Sequence, residues 1–258
     1  MARALRIGIL LLIFVTVAQE AWFARARSVS WKGTLLVAVY PASGDGSAAT
    51  SAYLQTLTRE DFKAIERFID AEAKRYGVSN FRPVEVVLGP RLASLPPAPP
   101  RQPSTFDAIV WSLKMRWWAS RNDDMPGGVK PHVRMFAAYF DPAAHKTLPH
   151  SIGLERGLIG VANLFASSEM ADQNGIVVAH ELLHTLGATD KYDPATNQPR
   201  FPEGYAEANR QPLLPQEHAE IMAGRTPLAP NRAETPESLD QVVVGPATAA
   251  EIRWVPAR

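Results

Sequence analysis

His180 and His184 stand four residues apart with Glu181 beside the first, and Gly187 and Asp190 follow at steps of three. On a helix, positions i and i+4 share one face, so both imidazoles can reach a single metal ion. Tetrahedral zinc accepts histidine nitrogen at that spacing, and a glutamate next to the first ligand is placed to take a proton from a water at the metal. Leu182, Leu183 and Leu186 supply the apolar remainder of a buried helix. Gly187 ends it, since a residue past the last turn often takes the left-handed conformation that glycine adopts without cost. The chain then turns back and brings Asp190 toward the same metal as a third ligand. Three protein ligands and one open position make a catalytic zinc site, whereas structural sites are closed by four ligands and rich in cysteine. This chain has no cysteine.

The chemistry such a site performs is hydrolysis. With Zn2+ on His180, His184 and Asp190, a water is made acidic and a substrate carbonyl is polarised. Glu181 takes the water's proton during attack and passes it to the leaving amine. Tyr192 offers a hydroxyl to the developing oxyanion, or a bond to a loop carbonyl. Glu217, His218 and Glu220 are alternatives to Asp190 as third ligand, as is Asp193 at a poorer spacing from His184. Asp190 or Asp193 could otherwise bind calcium, but no EF-hand-like acidic run supports that. His132, His145 and His150 lie outside the motif and read as surface or strand histidines.

The segment His180-Glu-Leu-Leu-His184-Thr-Leu-Gly187-Ala-Thr-Asp190 resembles the extended zinc motif of the metzincin clan of metallopeptidases, HExxHxxGxxH. The final aspartate departs from that pattern and is similar to the variant of snapalysin-type proteases; Gly187-Ala-Thr-Asp-Lys-Tyr-Asp193 also resembles the immune-inhibitor-A peptidases. Glu220-Ile-Met222-Ala-Gly224 fits the clan's second mark, a methionine in a tight turn beneath the metal. The resemblance covers residues 174–224. It implies a metzincin-like α/β fold, a twisted mixed sheet packed with helices, an active-site zinc helix and a Met-turn. It also implies a zinc endopeptidase whose peptide substrate pairs antiparallel with the strand before the zinc helix, a place that Leu158–Phe165 occupies in the order of elements.

The elements that must position these residues are readable in outline. Thr34 to Tyr40 is a short apolar run ended by Pro41 and predicts a buried strand. Thr58, with Asp61 three later, caps a helix carrying Phe62, Ile65, Phe68 and Ile69 and stopping at Gly77. Val84–Leu88, His132–Phe140 and Leu158–Phe165 predict three further strands. Ser104 opens an amphipathic helix with Phe106, Ile109, Val110, Leu113 and Trp117 on one stripe, which is expected in the core. Strands alternating with helices imply βαβ units and a mainly parallel sheet.

The whole chain of 258 residues is long enough to bury a sizeable core, and 46% hydrophobic residues place it among folded proteins. A net charge of +1 and the lack of a Lys/Arg cluster argue against nucleic acid as a partner. Twenty-two prolines, concentrated in 89–103 and 194–235, predict long loops around the metal helix. Arg3 and Arg6 precede an apolar run from Ile7 to Ala18, so residues 1–26 read as a signal peptide or an N-terminal membrane anchor, and 27–258 as the catalytic domain. The expected location is outside the cytoplasm, with membrane contact through that segment alone. Three function classes follow: a zinc peptidase acting on peptides or proteins, a zinc hydrolase of another amide or cell-wall substrate, and a non-catalytic module that keeps a metal. Glu181 argues against the third, because a protein that only binds zinc needs no base there.

Overall fold

The structure is a computed structural model and describes residues 28–100, 104–155 and 157–256. The segment 1–26, read above as a signal peptide or anchor, lies outside the described residues. The strands β1 (Leu35–Ser43), β2 (Val84–Leu88), β3 (Val133–Phe140), β4 (Ile152–Leu154) and β5 (Ile159–Phe165) form a sheet in the order β2-β1-β3-β5-β4. The first three pairings are parallel, and β4 runs antiparallel to β5 at the edge. The fold is thus a mixed α/β sheet with helices, as the alternation of elements predicts. β1 continues beyond Pro41, where it still pairs with β3. Proline is tolerated there because β2 has already ended at Leu88, so the missing N–H faces no ladder partner.

Side chains alternate across the strands and divide the core into two layers. Val37 and Val39 of β1, with Val133, Met135, Ala137 and Tyr139 of β3, face one layer. That layer is closed by α1 (Ala48–Thr56), α2 (Lys63–Arg75) and α4 (Ala171–Thr185), through residues such as Leu54, Ile65, Ile69, Leu182 and Leu183. Ala38, Tyr40 and Phe136 face the other layer, against Met115 and Ala119 of α3 (Thr105–Ala119). The capping box Thr58/Asp61 forms as the sequence predicts and opens a 3-10 turn, Arg59–Phe62, that leads into α2; Ser104 opens α3 as expected, in a second box closed by Asp107. After α4 the chain runs through long loops and short strands, and α5 (Pro246–Glu251) packs near the end.

Two expectations are corrected. The apolar stripe of α3 does not face the core: Phe106 is 72% exposed, Ile109 54%, Leu113 59% and Trp117 63%. The helix is apolar on both sides, and the face that packs against Tyr40, Phe136 and Ile159 carries Met115 and Ala119, with Trp118 beside them. Leu158–Phe165 is not at the rim of a cleft either. β5 is paired on both sides, by β3 and β4, so its backbone is already satisfied; the edge of the sheet on that side belongs to Ile152–Leu154, and the opposite edge to β2.

β4 lies directly on the helix that carries the two histidines. A Cβ added to Gly153 would stand 2.2 Å from His184 Cβ and 2.8 Å from the Glu181 carbonyl oxygen. Gly153→Ala is therefore expected to push the edge strand off α4, lowering stability by about 1–3 kcal/mol. Thermal denaturation of the variant checks this.

Candidate metal centre

The helix α4 is pinned to the sheet before it delivers its chemistry. Asn174, buried one turn into the helix, accepts from the Phe165 amide at 3.0 Å and donates to the Phe165 carbonyl at 2.8 Å. Leu182 and Leu183 are fully buried, and His180, Glu181 and His184 emerge together next to β4. Gly187 has φ +106°, a conformation that L side chains rarely adopt, and it reverses the chain after the helix. Asp190 returns as the sequence predicts. Its Oδ1 lies 3.3 Å from His180 Nε2 and 3.1 Å from His184 Nε2.

Both rings are held by their other nitrogen. His180 Nδ1 bonds the Ile221 carbonyl at 2.9 Å, and His184 Nδ1 bonds the Ala188 carbonyl at 2.8 Å. A carbonyl only accepts, so each Nδ1 carries a proton, and a cation that displaces the Nε2 proton between the rings and Asp190 would meet the Nε2 lone pair. Among the described residues, His180, Glu181 and His184 form a cluster whose ligand atoms lie within 4.8 Å of one another.

This donor set fits zinc. Two imidazole nitrogens and a carboxylate are its usual ligands, and bonds of about 2.0 Å in a tetrahedron place donors about 3.3 Å apart. The two separations from Asp190 Oδ1 match that edge. Burial lowers the tendency of the His180 ring to take a proton, but the Asp190 carboxylate and the charge of Glu181 outweigh it and raise its pKa. Burial also works against the Asp190 carboxylate, and the bonds from His180 and His184 more than offset it, holding its pKa well below the ordinary range.

Glu181 stands differently. Its side chain is buried, and Oε2 has no hydrogen-bond partner among the described residues. Burial raises its pKa, opposed by the two histidines. A buried carboxylate oxygen with no partner is costly, and such groups concentrate where chemistry is done.

The other sequence candidates are accounted for elsewhere. Glu220 is fully buried, and its carboxylate accepts from the amides of Met222, Ala223 and Gly245 and from the Thr248 hydroxyl. It ties a tight turn in which the amides of Ala223 and Gly224 donate to the Glu220 carbonyl, with Met222 buried at its centre. That turn presents the Ile221 carbonyl to His180, so Glu220 positions a histidine from behind. His218 Nδ1 pairs with Glu207, and Glu217 with Arg210. Asp193 accepts from the amides of Ala195 and Thr196 in its own turn. Tyr192 lies beside Asp190, and its pKa is raised by burial and then by Asp190 and Glu181. His132 accepts from the Leu36 amide, and His145 lies 3.8 Å from Asp45, so neither joins the cluster.

The sequence gives no sign of the residues that steady Asp190. Glu251, from α5, accepts from the Thr189 amide and hydroxyl and pairs with the buried Lys191 at 2.6 Å. The Lys191 amide donates to the Met222 carbonyl at 2.9 Å, and Arg200 donates to the Asp190 carbonyl at 2.8 Å. Both neighbours of Asp190 are thereby fixed, though its own side chain is 41% exposed. Compared with known proteins, the chain matches no family model and no curated sequence.

Proposed function

We propose that the protein is a zinc-dependent peptidase of the metzincin type that hydrolyses peptide bonds outside the cytoplasm. One observation carries the reading: His180 Nε2 and His184 Nε2 converge on Asp190 Oδ1, next to a buried glutamate oxygen with no hydrogen-bond partner among the described residues. The order β2-β1-β3-β5-β4, with one antiparallel edge strand against α4, supports the same reading, as does the buried Met222 turn.

Zinc, when bound, supplies a Lewis acid and a water whose pKa is brought toward neutrality. His180, His184 and Asp190 hold it. The Nδ1 bonds to Ile221 and Ala188 keep each Nε2 aimed at the site, where a bound cation would take its lone pair. Glu181 takes a proton from the attacking water as the new bond to the peptide carbonyl carbon forms. It delivers that proton to the leaving nitrogen as the C–N bond breaks. Burial raises the pKa of its carboxyl, which favours a group that takes a proton before giving it up. The outer edge of β4 is open to an extended peptide, whose main chain it binds as an added strand without dictating side chains. The apolar run from Ile7 to Ala18 supports export across a membrane.

The test is hydrolysis of casein and of a peptide library by the purified full chain. The expected result is about one zinc per chain and cleavage that stops with a chelator and returns with zinc. A zinc-loaded chain that leaves both substrates intact overturns the peptidase reading and points to another amide or cell-wall substrate, since fold alone does not fix substrate.

A further inference from the structure

The helix α3 turns four large apolar side chains to solvent. Phe106, Ile109, Leu113 and Trp117 follow at steps of three, four and four, so at about 100° per residue they form one line along the helix. That line lies opposite Met115 and Ala119, which are fully buried against the sheet. Four large side chains, each more than half exposed, are not scattered surface residues. They form one contiguous face, and such faces mark contact sites.

We propose that this face of α3 docks onto the surface of an anionic phospholipid bilayer. The area argues against a stable second copy as the occupant. At about 150–250 Å² for a whole aromatic side chain, the exposed parts of the four sum to roughly 500 Å². Stable protein interfaces bury about 800 Å² on each partner. The charges favour lipid. On the helical projection Lys114 and Arg121 border the stripe on one side, and Asp107 is the one acidic residue between Thr105 and Arg121. Arg121 stacks over the Trp117 ring, 5.1 Å from its centroid. Basic residues flanking a Phe/Trp/Leu face are the arrangement by which a helix lies in the headgroup plane.

The helix does not need to cross the membrane: among the described residues, no helix is long and apolar enough to do so. The apolar run Ile7–Ala18 of the same chain leads it to a bilayer whether that segment is later cut or kept. Docked in this way, the protein keeps the face bearing α4 turned away, because α3 and α4 pack on opposite sides of the sheet. No residue of the metal centre takes part, so the proposal rests on the export reading and not on the peptidase one.

The chain has no cysteine, so a single introduced one carries a fluorophore sensitive to polarity at a chosen position. The experiment uses the full chain as Trp117→Cys, and as Ser51→Cys on α1, an exposed position across the sheet, with phosphatidylcholine–phosphatidylglycerol vesicles. The expected result is a blue shift and a several-fold emission gain at position 117, with neither at position 51. Adding Phe106→Asp and Ile109→Asp to the position-117 chain should cut the bilayer-inserted fraction at least about ten-fold. Both positions are exposed, so the variant keeps its core. A label at 117 that stays water-like while the chain floats with vesicles overturns the proposal, because the N-terminal segment then acts alone. A shift without vesicles that grows with protein concentration overturns it in favour of self-association.

Discussion

Glu181→Gln is expected to leave about one zinc per chain and to lower peptide hydrolysis on the order of a hundred-fold or more. The substitution keeps the shape of the side chain and removes its basicity. The ring nitrogens of His180 and His184 keep their carbonyl partners, because neither bond involves Glu181. Metal content should therefore hold while the proton transfer is lost, and a hundred-fold loss corresponds to about 2.7 kcal/mol of the barrier. The replacement also removes a buried carboxylate with an unpartnered oxygen, so thermal stability is expected to stay level or rise. Zinc analysis, steady-state kinetics and a melting curve on the same preparation check all three. A Glu181→Gln protein with near-normal turnover refutes the role.

The second large effect is expected at Asp190. Asp190→Ala should weaken zinc binding by more than about a hundred-fold, since it removes one of three donors, whereas even an outer partner of a ligand is worth about 10–100-fold. Asp190→His should restore much of the affinity, because imidazole suits zinc at least as well. The side chain is part-exposed, so neither change should unfold the protein. His218→Ala and Asp193→Ala act on side chains bonded elsewhere and should leave affinity unchanged. Glu220→Ala is different in kind. It strips four donors of a buried acceptor, and its main effect should be on folding. Competition with a chromogenic chelator separates these cases.

The contrast between Asp190 and Glu220 shows how far the sequence could be read. The turn at Gly187 and the resemblance to the extended zinc motif placed Asp190 with the histidines, ahead of Asp193, Glu217, His218 and Glu220. Glu220 is as good a ligand by type, and only its burial behind the turn removes it from the site. β1, β2, β3 and β5 were legible because buried parallel strands are continuous apolar runs. β4 was not, being three residues long with a glycine at its centre that serves packing against His184. α1 was missed for a similar reason: only Thr50 and Leu54 are buried on it, too few to make a period. In α3 the periodicity gave the helix but not its orientation. A stripe states that certain residues share a face, and which face the sheet accepts depends on the volume left by Tyr40 and Phe136. Glu251, sixty-two residues from Thr189, gives no local signal at all.

Diffraction at the zinc absorption edge from crystals grown with zinc tests the central claim most directly. The account predicts one strong anomalous peak within bonding distance of His180 Nε2, His184 Nε2 and an Asp190 oxygen, with Glu181 close by but unbound. A peak on His218 or Glu220 with Asp190 turned away, or no peak between the two histidines, would contradict it.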